Sequence, residues 1–386
     1  MVAHQVSLCD SDERLFSARH SAAEGSFRVS HRPPDGGTGC VVSPVPIDAP
    51  LFLVSSERSG STLMRLMLDH HPGIAFASET DFVVERVSDA GERPPVTSYT
   101  DWVTTVRSFD YEIDRSLGYD DLVNDFLRQK QRASGGKPLV GATVHRRFHR
   151  LRFLWPHARY IHLIRDPRDV ARSVTQKGWA GNVYQAAEFW INAEGCWDAL
   201  VPHLDSDQFV ELHYEHLVTR PESELARVCA FIGVEFDPLM LEYQKTARQY
   251  PPPDPKLARR WTSKLAPGDV ALVESRTGSL LERRGYQPSG VPPVRVGATR
   301  HALLLGDARV RRLRGRISRY GAGVVFLDVC GRRLGFNRAA SRARLHINAT
   351  DQHALDLERA GLLAPSPDIA PAGGDGAAPD RDIAPT

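Results

Sequence analysis

Leu51-Phe52-Leu53-Val54, then Ser55-Ser56-Glu57-Arg58-Ser59-Gly60-Ser61-Thr62, then Leu63-Met64-Arg65-Leu66-Met67-Leu68 reads as a buried strand, a small-residue loop and a helix. A strand that turns through Ser and Gly into a helix gathers backbone N–H groups and a positive helix end around one anion. The stretch therefore predicts a phosphate or sulfate cradle.

The nucleoside-triphosphate form of such a loop, G-x-x-x-x-G-K-[ST], needs a first Gly and a Lys ahead of the Ser/Thr. Ser55 and Gly60-Ser61 supply neither, and the cation, Arg58, precedes the turn. The run Arg58 to Arg65, with Met67-Leu68-Asp69-His70-His71-Pro72, resembles the 5′-phosphosulfate loop of sulfotransferases that use 3′-phosphoadenosine 5′-phosphosulfate (PAPS). It is most similar to the tyrosylprotein sulfotransferase motif P-R-S-G-T-T-L-M-R-x-M-L-D-x-H-P. Glu57 stands where that motif has Pro, and Ser61 where it has Thr; neither change removes an N–H donor. The resemblance implies that Arg58, Ser59, Gly60, Ser61 and Thr62 hold the 5′-phosphosulfate.

PAPS has a second anionic end, the 3′-phosphate. Arg165, at a strand end, and Ser173, two helical turns on, are spaced to close on one phosphate from both sides. The segment Leu163 to Ser173 resembles the 3′-phosphate motif of the same superfamily. Asp166 reads as a helix N-cap and Pro167 as the first helical residue. Leu212-His213-Tyr214-Glu215-His216-Leu217-Val218 with Pro221-Glu222 looks like the family's H-Y-E-x-L-V-x-x-P-E segment, which implies that Tyr214 lies near the nucleotide. Arg260 falls where the family places a basic residue before a Trp, on the 3′-phosphate side. Leu280 to Tyr286 matches its usual L-G-Y end, so the resemblance spans roughly residues 50–288.

Moving a sulfuryl group to a hydroxyl is an in-line displacement that needs no metal if cations neutralise the oxygens around sulfur. The acceptor hydroxyl needs a base, and Glu79 matches the catalytic Glu of tyrosylprotein sulfotransferases. A partly desolvated cleft is expected to raise its pKa toward working pH. Arg58 is the expected catalytic cation. The family's Lys after the next strand is missing from Val140-Gly141-Ala142-Thr143-Val144-His145. Lys137 and Lys177 are the nearest substitutes in sequence. His145 reads as a donor or an alternative base, or else as the start of a surface helix beside Arg146, Arg147 and His149.

The chain of 386 residues is 41% apolar and 25% charged with a net charge of +2, the profile of a soluble globular protein with one large domain and additions. Arg outnumbers Lys 43 to 6, which reads as a GC-rich coding sequence and not as nucleic-acid binding. Five scattered cysteines with no C-x-x-C pair fit a reduced, cytoplasmic protein without structural zinc. No stretch approaches a membrane span.

Four regions are expected: an irregular leader 1–49, a sulfotransferase domain 50–288, a basic accessory region 289–363 and a disordered tail 364–386. The core alternates strand and helix signals, predicting a P-loop-like, three-layer α/β fold around a parallel sheet. Asp269 to Arg284 reads as one last core helix. Residues 295–344 hold thirteen Arg against two Asp, and they read as an Arg-faced helix and a strand packed on the core, or as a patch for an anionic acceptor or membrane surface. The implied function is PAPS-dependent O-sulfation of a small molecule, lipid or sugar, or of a protein tyrosine, with a homodimer left open. A non-catalytic nucleotide-binding scaffold and a P-loop kinase are the alternatives.

Overall fold

β1 (Leu51–Val54) has every side chain buried because it occupies the middle of a five-stranded sheet. A computed structural model describes residues 47–106, 109–247, 250–333 and 342–351; most of the leader and the tail lie outside these. β2 (Ile74–Glu79), β3 (Leu139–Val144), β4 (Arg159–Ile164) and β5 (Phe209–His213) complete the sheet in the order β2-β3-β1-β4-β5, all neighbours parallel. Successive β1 side chains point to opposite faces. Phe52 and Val54 enter one core with Trp155 and Tyr160, while Leu51 and Leu53 enter the other with Met64, Met67 and Leu163. These two cores, each covered by helices, make the expected three-layer α/β fold.

α1 (Ser61–His70) carries the chain from β1 to β2. α2 (Phe82–Glu85), α3 (Val96–Val103) and α4 (Tyr119–Ala133) form the insertion before β3, and α5 (Leu151–Leu154) follows it. α6 (Pro167–Gln176) and α7 (Val183–Leu200) join β4 to β5. Asp166 caps α6 as expected, accepting from the Arg168 N–H at 3.0 Å. Beyond β5 come α8 (Tyr214–Thr219), α9 (Pro221–Ile232) and α10 (Trp261–Lys264).

The chain leaves β1 for β2 on one side, returns through β3, and crosses to β4 on the other. The carboxyl ends of β1, β3 and β4 thus flank the switch point where ligands bind in open α/β sheets.

Tyr214, directly after β5, opens α8. Two sequence expectations differ. The single helix expected over Asp269–Arg284 is two, α11 (Pro267–Thr277) and α12 (Leu280–Arg283), broken at Gly278 where φ is 55°. The apolar run Val324–Leu327, read as a strand, lies inside α14 (Ala322–Arg333), which follows α13 (Ala298–Tyr320). A four-residue apolar run fits either element, and here its flanks continue as helix. Val325 is buried, and Asp328 receives Arg316 of α13 at 2.6 Å. No helix among the described residues is long and apolar enough to cross a membrane.

Candidate active site

The loop after β1 is buried at Ser55, Ser56 and Ser59. It turns through left-handed backbone at Arg58 (φ 70°) and Gly60 (φ 93°), and α1 begins at Ser61 with no side-chain cap. The first N–H groups of an α-helix have no partner within it, so this end is open to an anion. A Cβ at position 60 would lie 2.3 Å from the Tyr214 ring, so only Gly lets that ring close over the turn. The Ser59 hydroxyl is buried without a hydrogen-bond partner. An orphaned donor beside an uncapped helix start fits a phosphate or sulfate group.

The second motif is folded onto the first. Arg58 Nε donates to Ser173 Oγ at 2.8 Å, and Arg165 Nη1 donates to the Arg58 carbonyl at 2.9 Å. Arg165, itself buried, stacks over Tyr214 with Cζ 4.2 Å from the ring centroid and donates to the Leu257 carbonyl at 3.4 Å. Arg58, Arg165, Ser173 and Tyr214 are thus one cluster, and Arg58, read as part of the first anchor, bridges to the second. Arg260, half-buried, heads α10; the adjacent Trp261 donates its backbone N–H to Asp169 and its indole N–H to Asp166, both at 2.9 Å. Trp179, 5.8 Å from the Arg58 guanidinium, escaped the sequence reading, since a lone Trp after Lys177-Gly178 carries no spacing signal.

Glu79 ends β2 at an irregularity, where Ala77 pairs with Ala142 but Glu79 pairs with Thr143. Such a bulge re-aims the side chain. The Glu79 carboxylate lies 3.7 Å from His145 Nε2. The ion pair with His145 holds its pKa below the ordinary 4.5, aided by the charges of Arg146 and Arg58 and opposed by partial desolvation. The cleft was expected to raise this pKa; the neighbouring cations reverse the direction.

His145 is not the start of a surface helix. It is 2% exposed, with Nδ1 3.0 Å from the Ser55 carbonyl and Nε2 3.4 Å from Ser61 Oγ. Its own N–H donates to Asp81 at 2.8 Å. Burial disfavours the imidazolium, but the ion pair with Glu79 and the charges of Asp81 and Glu57 outweigh it and push the pKa up to about 9. A buried cation therefore touches a cradle hydroxyl directly after β3.

Of the two lysines proposed from sequence, Lys137 lies away from the cradle. Lys137 precedes β3 and so sits at the amino edge of the sheet, where it donates to the carbonyls of Asp69, His71 and Ile74 around the end of α1. Lys177 is the C-cap of α6, one turn beyond Ser173.

Fold and site define an α/β protein with an uncapped helix start and an Arg-rich loop at the carboxyl edge of a parallel sheet. The model of the sulfotransferase family matches residues 50–238, just under half of the chain, and with the relatives below it supports a sulfotransferase enzyme. Protein-tyrosine sulfotransferase A of Caenorhabditis elegans is 24% identical over 279 residues, covering 63% of this chain and 68% of its own. Protein-tyrosine sulfotransferase 2 of Gallus gallus is also 24% identical over 279 residues, covering 63% and 71%. Among solved structures, the sulfotransferase domain from the curacin biosynthetic pathway aligns with a TM-score of 0.44 at 21% identity, over 63% of this chain and 99% of that domain.

Proposed function

We propose that the chain moves a sulfuryl group from PAPS to a hydroxyl of a small molecule, lipid or sugar in the cytoplasm. The observation that carries this is the direct bond from Arg58 to Ser173, which couples two anion-binding loops and suits a donor charged at both ends. The backbone and hydroxyls of Ser59, Gly60, Ser61 and Thr62 cradle the 5′-phosphosulfate, which supplies the group to be moved. Arg165, Ser173 and Arg58 hold the 3′-phosphate, with Arg260 beside them and Tyr214 walling the nucleotide.

Glu79 accepts the acceptor's proton. Its low pKa keeps it ionised, and its exposed side chain, 59% accessible, opens to an incoming acceptor. Protonated His145, on Ser61, places positive charge at the cradle, where negative charge collects on the leaving phosphate. Arg58 adds to the same field.

A protein tyrosine is the second reading, favoured by the names of the curated relatives. Incubation with sulfur-labelled PAPS and panels of phenols, sterols, sugars and tyrosine peptides separates the two. Label on peptides alone would reverse the order, and label on nothing, with thermal stabilisation by 3′,5′-diphosphoadenosine retained, would leave the non-catalytic nucleotide-binding alternative.

A further inference from the structure

Nine large apolar side chains stand exposed among the described residues, and seven of them fall between 303 and 345. On α13, steps of seven, three and four residues run from Leu303 through Val310 and Leu313 to Ile317, which places the four on one stripe. They are 39–68% exposed.

The opposite side of α13 is pinned. Ala308 is fully buried, and a Cβ at Gly181 would lie 2.0 Å from its carbonyl oxygen, so the two backbones touch. Asn182 Nδ2 donates to the Leu304 carbonyl at 2.8 Å and to Asp307 at 3.1 Å, and Tyr184 hydrogen-bonds His301 at 2.9 Å. The stripe is therefore held outward by the core. At 100° per residue Arg300 and Arg314 border it on one side, Arg309 and Arg316 on the other. Seven Arg lie on this helix with one acidic residue, Asp307; Arg311 pairs with it at 2.8 Å, while Arg316 pairs with Asp328 at 2.6 Å and Arg319 with Asp351 at 2.9 Å. On α14 the neighbouring Phe326 and Leu327 are 65% and 48% exposed.

An apolar stripe bordered by cations is the design of a helix that lies in a membrane interface. Its spacing also fits a coiled-coil seam, but a second copy would set Arg300, Arg309 and Arg314 against their own like at the edges. Lipid phosphates neutralise the same arginines. We propose that α13 lies flat on an anionic lipid surface, with Leu303, Val310, Leu313 and Ile317 at the headgroup–acyl boundary and the flanking Arg300, Arg309 and Arg314 on lipid phosphates. The loop that seats α13 through Gly181 and Asn182 also carries Trp179 beside Arg58, so the lipid surface lies next to the cradle. This proposal does not rest on the transfer reaction.

The test is sedimentation of the full chain with vesicles of phosphatidylcholine, with or without phosphatidylglycerol. Leu313→Ser/Ile317→Ser removes apolar area while leaving every arginine in place. The expected results are partition onto the anionic vesicles, screening at high salt, and a loss of more than about tenfold in the double variant at unchanged Tm. Absence of partition, equal partition onto pure phosphatidylcholine, or partition indifferent to the double substitution would overturn the proposal. So would a dimer in solution that the double substitution dissociates.

Discussion

Arg58 and Ser173, 115 positions apart in sequence, meet in a 2.8 Å hydrogen bond that ties the loop after β1 to the helix after β4. Each belongs to a different sequence motif, so in the proposed donor site the parts that would hold the two ends of the nucleotide support one another.

Donor recognition follows from that coupling. 3′,5′-Diphosphoadenosine should raise Tm more than AMP, because binding only the native state stabilises by mass action. Arg165→Ala should erase most of the difference, since a charge-assisted contact contributes roughly 1.5–3 kcal/mol. Equal shifts for the two nucleotides in the unmodified chain would remove the 3′-phosphate from Arg165 and Ser173.

Glu79→Gln keeps the shape and removes the base, so kcat should fall by about 10²–10⁴. Binding of 3′,5′-diphosphoadenosine should stay near that of the unmodified chain. Full turnover in this variant would transfer the role to another group.

The pH profile should be set by the Glu79–His145 pair. Glu79 titrates below the ordinary 4.5, so the acid limb lies lower than for an exposed Glu, and turnover should decline on the alkaline side near 9 as His145 loses its proton. His145→Gln should lower kcat and abolish the alkaline limb. A limb near 9 that survives this substitution belongs elsewhere.

Gly60→Ala should damage both fold and binding. The left-handed φ costs an alanine about 1–2 kcal/mol, and its Cβ would strike Tyr214. Gly60→Ala/Tyr214→Ala relieves the clash but not the backbone, so it should recover only part of the lost Tm. Complete recovery would mean the ring contact alone demands glycine.

Stability should depend on pH through His162, buried on β4 against Glu194 at 3.4 Å and Glu211 at 2.9 Å. Burial disfavours its charged form, yet the two carboxylates hold its pKa above the ordinary 6.5. A raised folded pKa means its contribution is full below 6.5 and fades as pH rises through the folded value. Glu194, despite its own burial, is held below 4.5 by His162 and Arg284, and Glu211 by its hydrogen bond to His162. Their contribution is full above 4.5 and is lost as pH falls through the lowered values. Urea midpoints should therefore be highest between these limits, and His162→Gln should flatten the alkaline slope.

The sheet was legible because buried parallel strands are short apolar runs, as in Leu51–Val54 and Tyr160–Ile164, and Asp166-Pro167 marks a helix start by capping chemistry alone. Val324–Leu327 was not, since so short a run has no period to read. Arg58, Arg165, Ser173 and Tyr214 were found through motif spacing, and the structure gathers them. His145 was misjudged because its neighbours in sequence, Arg146 and His149, suggest a surface. Its neighbours in space are Ser55, Ser61 and Glu79, which only the sheet order brings together. Charge direction was lost for the same reason: a carboxylate's pKa depends on cations that arrive from other strands.

The irregularity at the end of β2 makes the position of Glu79 a matter of chain length. Two residues, Ser78 and Glu79, occupy one step of the neighbouring strand, and deleting either returns the ladder to even pairing. A one-residue slip in a strand sends each following side chain to the other face. Divergence in this segment is thus freer in spelling than in counting: Ala75 or Ala77 can be exchanged for another small residue, whereas a three-nucleotide insertion or deletion in the gene would carry the carboxylate away from His145 while leaving every residue of the loop after β1 unchanged.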